Sequence, residues 1–188
     1  MSELPEIPFE PFGKISRYNR NLVISEKIDG TNASVWINDE GAKAFAGSRT
    51  RWITPEDDNY GFARWVQTHH DELLALGPGH HFGEWWGAGI QRRYGLTEKR
   101  FSLFNSARWS AENPQPACCH VVPVLANGLA SEVDVYAVLE NLRVTGSVAA
   151  PGFMNPEGIV IYHVASRNLY KMTLERDHEP KGKGASNE

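Results

Sequence analysis

Apolar and polar residues alternate with a period of two over several short stretches of the chain, a period that turns every second side chain to one face of a strand. Alternation of this kind at 42–46 and 168–174, together with short runs rich in apolar, β-branched and aromatic residues at 22–26, 33–37, 81–86, 100–105, 121–125 and 157–164, predicts about eight strands. Asn38-Asp39-Glu40-Gly41 reads as a hairpin turn, and Ser166-Arg167 as another. In two places a helical period takes over. Thr54-Pro55-Glu56-Asp57 has the marks of a helix start: a hydroxyl cap, a proline in the first turn and acids at the positive end of the dipole. Phe62, Trp65, Val66, His69, Leu73 and Leu74 follow at helical spacing until Gly77-Pro78-Gly79. Ser131-Glu132-Val133-Asp134 reads as a capping box, and Val135, Leu139 and Leu142 give the helix an apolar stripe that stops at Gly146. Strands and helices do not alternate regularly, which predicts an α+β fold with antiparallel sheets.

Residues 1–20 are rich in proline and aromatics (Pro5, Pro8, Phe9, Pro11, Phe12) and then basic (Lys14, Arg17, Arg20), the composition of an irregular arm packed on the domain. Residues 106–116 are polar and read as a loop, and 149–156 cross back through Pro151-Gly152 and Asn155-Pro156. The charged, glycine-containing stretch 176–188 is expected to be disordered. No internal repeat is visible. A chain of 188 residues suits one domain, here 1–175, that buries its own core without a staple. Its formal charge of −4 argues against a general polyanion-coating role but leaves room for a local basic face. Cys118 and Cys119 are adjacent, which is neither a zinc spacing nor a structural bridge, and they suit a reducing cytosol. The N-terminus lacks a basic region followed by an apolar core, and no run approaches the ~18 apolar residues needed to span a bilayer. A soluble, cytoplasmic protein with no membrane partner is expected. His69-His70 and His80-His81 invite a metal reading, but adjacent side chains project apart on a helix or a strand, so they are not read as a metal site.

The candidate chemistry lies in Ser25-Glu26-Lys27-Ile28-Asp29-Gly30-Thr31-Asn32. Strand alternation puts Ser25 and Lys27 on one face and Ile24, Glu26 and Ile28 on the other, while Gly30 lets the backbone turn or approach a ligand. A lysine is a poor nucleophile at neutral pH, so its use requires a dry pocket or a nearby cation. A surface strand ending in a charged turn accounts for the same eight residues. Gly47-Ser48-Arg49-Thr50-Arg51 offers guanidinium forks and hydroxyls that suit phosphate or ribose, or forms a solvated basic loop. Arg92 and Arg93, between Gly89 and Gly95, could meet a nucleic-acid backbone or lie in a plain surface loop.

Lys27-Ile28-Asp29-Gly30 resembles the Lys-x-Asp-Gly signature of the covalent nucleotidyltransferases, the ATP-dependent DNA and RNA ligases and the mRNA capping enzymes. Thr31-Asn32 leans towards RNA ligases, since DNA ligases usually carry Arg at the place of Asn32. Ser48-Arg49, Phe82-Gly83-Glu84-Trp85-Trp86-Gly87, Glu157-Gly158-Ile159-Val160-Ile161 and Tyr170-Lys171 resemble the family's later elements, in its order, and Phe101-Ser102-Leu103-Phe104-Asn105 is similar to its Phe-x-x-Phe-Asp segment. The resemblance implies a nucleotidyltransferase core, two antiparallel sheets flanking a nucleotide cleft with helices outside. It implies an ATP-dependent polynucleotide ligase, of RNA by preference, with a compact DNA ligase, a GTP-using capping-type enzyme or a module that has lost sealing activity as alternatives. Lys27 would attack the α-phosphorus of ATP, and AMP would pass to a 5'-phosphate end and be displaced by a 3'-hydroxyl of RNA. Glu26 would contact the adenine, and Phe104 or, in another register, Phe101 would stack on it. Arg49 and Glu84 would meet the ribose or the acceptor end, Glu157 would hold Mg2+ (or Mn2+), and Lys171 would hold the α-phosphate. Asp29, Gly30 and Asn32 would complete the nucleotide pocket, with Arg51, Arg92 and Arg93 as weak nucleic-acid contacts. The short stretch after Lys171 is expected to leave no room for an oligonucleotide-binding domain, so a helper protein could stand in for it. Thr173 departs from the family's last element, which usually carries a second lysine there.

Overall fold

The computed structural model describes residues 7–109 and 112–175, so the expectation of a disordered tail at 176–188 lies outside the described residues. In chain order come β1 (Asn21–Lys27), β2 (Thr31–Ile37), β3 (Ala44–Ser48), β4 (Trp52–Ile53), α1 (Phe62–Thr68), α2 (His70–Leu73) and a 3-10 turn (Leu74–Leu76). There follow β5 (Gly79–Gly87), β6 (Lys99–Leu103), β7 (Cys119–Val121), β8 (Val124–Leu129), α3 (Val135–Thr145), β9 (Gly158–His163) and β10 (Asn168–Thr173). The strands form a four-stranded sheet in the order β10-β9-β1-β8 and a six-stranded sheet in the order β4-β3-β2-β5-β6-β7. All neighbouring pairs are antiparallel except β6 with β7. The α+β architecture expected from periodicity is the one observed.

Alternation decides which face each sheet buries. On β1, Leu22, Ile24 and Glu26 are buried while Val23, Ser25 and Lys27 are half-buried on the other face. Leu22 and Ile24 pack with Ile159 and Ile161 of β9 against Leu142 of α3. In the larger sheet Ala33, Val35 and Ile37 of β2, Trp85 of β5 and Phe101 and Leu103 of β6 pack against Phe62, Ala63 and Val66 of α1 and Leu73 of α2. Each sheet therefore carries its helices on one face. A third cluster of Ile28, Trp86, Tyr94, Val122 and Ala150 packs the turn after β1 and the loops at 94, 122 and 150 against the face of β5 that lies away from α1.

Local chemistry moves several boundaries. The helix expected from Thr54 begins only at Phe62. Asp57 N–H donates to the Thr54 carbonyl, closing a turn, and the Asp58 carboxylate takes the N–H groups of Ala63 and Arg64 in the first helical turn. The run then breaks at His69, whose ring nitrogen bonds the Trp65 carbonyl at 2.9 Å. The cap of α3 is Asp134, which accepts from Ala137 N–H at 3.0 Å, and not Ser131, because Glu132 and Val133 N–H are used by the Leu129 carbonyl in a turn of their own. The strand expected at 121–125 is two strands in two sheets, β7 and β8, broken at Pro123, which has no N–H to donate. Val122 N–H still bonds the Leu103 carbonyl of the larger sheet, and the Pro123 carbonyl already accepts from Glu26 N–H of the smaller one. The arm is irregular as expected but does not pack along its length: Ile7, Phe9, Phe12 and Ile15 are exposed. It is tied down at Tyr18, whose carbonyl meets His163 Nε2 at 2.8 Å and whose ring stacks on the same imidazole.

Glu26 joins β1 to the loop after α3. Its buried carboxylate accepts from Ser147 Oγ at 2.5 Å, Val148 N–H at 2.8 Å and Ala149 N–H at 2.9 Å. Truncation would leave three donors without an acceptor, so Glu26→Ala should lower stability by roughly 3 kcal/mol in a urea titration. A loss below about 1 kcal/mol would mean that water replaces the carboxylate.

Candidate active site

β1 ends at Lys27, on the face away from α3. Register sets Lys27 beside Gly158, so the residue just before β9, Glu157, reaches it, and Lys27 Nζ lies 2.7 Å from Glu157 Oε2. Both side chains are largely withdrawn from solvent, at 21% and 14% exposed. An ion pair in that setting is screened far less than one on the surface.

The turn after Lys27 is held from three sides. Asp29 N–H donates to Tyr94 Oη at 2.8 Å, Arg92 Nε donates to Asp29 Oδ2 at 3.1 Å, and Gly30 N–H donates to Glu84 Oε1 at 3.1 Å. Position 30 admits no side chain, since a Cβ there would stand 2.5 Å from the Trp85 carbonyl oxygen and 2.7 Å from Trp86 Cβ. Glu84 lies opposite Asn32 in the β5–β2 register, so the two share a face. Burial pushes the Glu84 carboxyl up to about 7, opposed by the Lys27 charge and the Gly30 N–H and reinforced by the charges of Glu157 and Asp29. Burial likewise raises Tyr94, keeping its hydroxyl neutral as the acceptor for Asp29 N–H. Nothing in the sequence singled out Tyr94, a loop residue with φ 51° whose partner lies far back in the chain.

Of the expected site residues, Lys27, Asp29, Gly30, Asn32, Glu84 and Glu157 come together. Arg49 is exposed in the β3–β4 turn, next to Ser48, which pairs with Ala33 at the same end of the larger sheet. Lys171 is exposed on β10, opposite Val160, which pairs in turn with Ser25, so it shares the Lys27 face of the smaller sheet. Thr173 stands in the row of Gly158 and Lys27. Phe101 is buried against Phe62 and Trp65, whereas Phe104 is exposed and falls, by alternation, on the face of Ser102 and Glu84.

The remaining residues stand outside this group. Glu26 lies on the opposite face of β1 to Lys27, with its carboxylate engaged by the loop 147–149. Arg92 is no loose basic contact; it bridges Asp29, the Asn155 carbonyl at 3.2 Å and Glu175 at 3.4 Å. Arg51 pairs with Asp57 on the surface, and Arg93 is exposed at φ 60°. His69, His70, His80 and His81 each have a protein partner: the Trp65 carbonyl, Asp71, Ser34 Oγ and the Gly77 carbonyl. Among the described residues no group of three or more His, Cys, Asp or Glu could hold a metal ion, and no helix is long and apolar enough to cross a membrane.

A family model described as RNA ligase matches residues 20–173. Among solved structures, a ligand-free mutant of Naegleria gruberi RNA ligase matches with a TM-score of 0.56 and 18% identity, covering 84% of this chain and 50% of that one. A mutant of the same ligase with ATP and Mn matches with a TM-score of 0.57 and 17% identity, covering 83% and 50%, and one with AMP and Mn gives the same values. The chain thus spans about half the length of the solved structures it matches. A search of curated proteins gave no significant match.

Glu84 yields a test by pH. Its folded-state pKa is raised from 4.5 to about 7, so its contribution to stability is full below about 4.5 and is lost as pH rises through about 7. Over that window wild type should lose up to about 3 kcal/mol relative to Glu84→Gln. Urea titrations of both proteins across the window measure the difference, and a flat difference would refute the raised pKa.

Proposed function

The chain belongs to the RNA ligase family, and from that premise we propose that it is an ATP-dependent RNA ligase working through a covalent lysyl-AMP intermediate. The observation that carries this reading is one partly buried amine, Lys27, held 2.7 Å from the Glu157 carboxylate in a pocket shared with a second, largely buried carboxylate, Glu84. Lys27 Nζ, once deprotonated, forms a bond to the α-phosphorus of ATP as pyrophosphate leaves. Glu157 is the nearest acceptor for the proton given up. The adenylyl group then passes from Lys27 to a 5'-phosphate, and a 3'-hydroxyl attacks that phosphate and expels AMP.

Asn32, Asp29, Gly30 and Glu84 form the proposed nucleotide pocket, with Phe104 stacking on the base. Arg49 and Lys171 supply charge for phosphate or ribose. Glu26 acts on the adenine side through the loop 147–149 that it holds. Hard carboxylate oxygen suits Mg2+ or Mn2+, and Glu157 is the residue that would hold the ion, with water and phosphate completing its shell. A bound divalent ion would neutralise phosphate charge and compete with the ammonium for Glu157. The neighbours bound to ATP, AMP and Mn support both cofactors. Joining of 3'-hydroxyl and 5'-phosphate ends in RNA repair, a cytoplasmic setting and a helper protein that clamps the substrate belong to the same proposal.

Incubation with α-labelled ATP and a divalent ion should leave label on the protein in a denaturing gel, with far less from GTP or NAD. Lys27→Ala should abolish labelling, and Glu157→Ala should slow it by at least about tenfold through loss of the contact to the amine and the metal. Equal labelling of wild type and Lys27→Ala would overturn the covalent mechanism.

A further inference from the structure

The face of the larger sheet that carries Glu84 continues outward as an open aromatic surface. Register defines its rows. Next to the row of Glu84 and Asn32, a row runs across four strands as Phe82, Ser34, Gly47 and Trp52, and the next holds His80, Trp36 and Phe45. Trp52, Phe82 and Phe45 are 56%, 51% and 44% exposed, a large apolar area to leave in water. The floor between them is kept flat by two small residues. A Cβ on Gly47 would meet Ser34 Oγ at 2.5 Å, and the Trp52 ring lies close over the same spot. The rings touch in sequence: Trp52 stacks on His80 at 5.5 Å and 22°, His80 meets Phe82 at 4.2 Å, and Trp36 packs between Phe45 and Trp52 at 5.4 and 6.2 Å. His80 is fixed by Ser34 Oγ at 2.9 Å.

Three features identify the occupant. The surface is continuous with the candidate nucleotide site, because Phe82 is two residues from Glu84 on the same strand and face, about 7 Å away. Phe104 N–H donates to the Phe82 carbonyl, so the two exposed rings are strand neighbours. Cations stand at both ends of the surface, Arg49 beside the Glu84 row and Lys43 next to the Phe45 row, both exposed. Open rings on a sheet, flanked by cations, suit unpaired nucleobases stacked on the rings with phosphates near the charges. We propose that Trp52, Phe82 and their neighbouring rings form a platform for the unpaired nucleotides of the RNA strand next to the end being joined, a proposal that rests on the RNA ligase reading above.

The probe is a short fluorescent single-stranded oligoribonucleotide, with a blunt RNA duplex of the same sequence as the control. Trp52→Ala and Phe82→Ala should each weaken single-strand binding about tenfold and leave duplex binding and self-labelling by ATP unchanged. Trp52→Phe, which keeps a ring, should restore most of the affinity, and thermal unfolding of each variant checks that these exposed truncations keep the fold. Unchanged single-strand binding, or parallel weakening of single strand and duplex, would overturn the platform. A change in oligomeric state on size exclusion with RNA binding intact would reassign the face to a protein partner, also against the proposal. Self-labelling separates this failure from that of the parent reading: labelled protein whose variants bind RNA normally loses only the platform, whereas unlabelled wild type loses the ligase reading itself.

Discussion

The backbone at Gly30 runs so close to the Trp85 carbonyl that no side chain fits between them, and the site is built on this approach. It brings the turn that follows Lys27 in one sheet against β5 of the other, close enough for Gly30 N–H to reach Glu84 Oε1. The apolar contact of Ile28 with Trp86, Tyr94 and Val122 holds the sheets in that position. Packing therefore fixes the geometry in which an amine from one sheet and a carboxylate from the other share one pocket. Tyr94 and Arg92 then lock the turn from the side through the Asp29 backbone and carboxylate.

The electrostatics follow from that geometry. Glu84, Glu157 and Asp29 are close enough for two of them to raise the pKa of the third, while burial supplies the largest share. Lys27 and Arg92 compensate part of this charge through direct ion pairs. A polyphosphate entering the pocket adds negative charge beside three carboxylates, which is unfavourable unless cations come with it or are already present. On the proposed reading, a divalent ion arriving with the polyphosphate would supply that charge.

Contiguous features could be read from the sequence and long-range partners could not. Lys27, Asp29 and Gly30 lie within four residues, and the alternation that aims Lys27 away from Ile24 is a property of β1 alone. Phe101 and Phe104 could not be told apart before α1 was in place, because only the packing of Phe62 shows which face of β6 is buried. Arg92 resembled a loose basic residue because its partner Asp29 lies 63 positions earlier. Ser131 and Asp134 both carry capping side chains, and the choice is made by the Leu129 carbonyl, which uses the N–H groups that a cap at Ser131 would leave free. The three donors to the Glu26 carboxylate come from a loop more than a hundred residues away, a contact that no local pattern around Glu26 reveals.

The cations left over after these pairings bear on the departure at Thr173. Lys27 is matched by Glu157, Arg92 by Asp29 and Glu175, and Arg51 by Asp57, while Arg49 and Lys171 make no ion pair among the described residues. Thr173 occupies the row of Lys27, two strands across with Gly158 between, where a lysine would place its charge on the same face. Threonine puts a neutral hydroxyl there, turned to the Glu175 carbonyl at 2.9 Å. Among the described residues, Lys171 on the smaller sheet and Arg49 in the turn after β3 are then cations of the expected site that no ion pair neutralises, as is Arg93 in the loop beside Arg92. On the proposed reading, a phosphate bridging Lys171 and Arg49 would depend on the approach of the two sheets at Gly30 and Ile28, so that charge recognition and sheet packing would be linked.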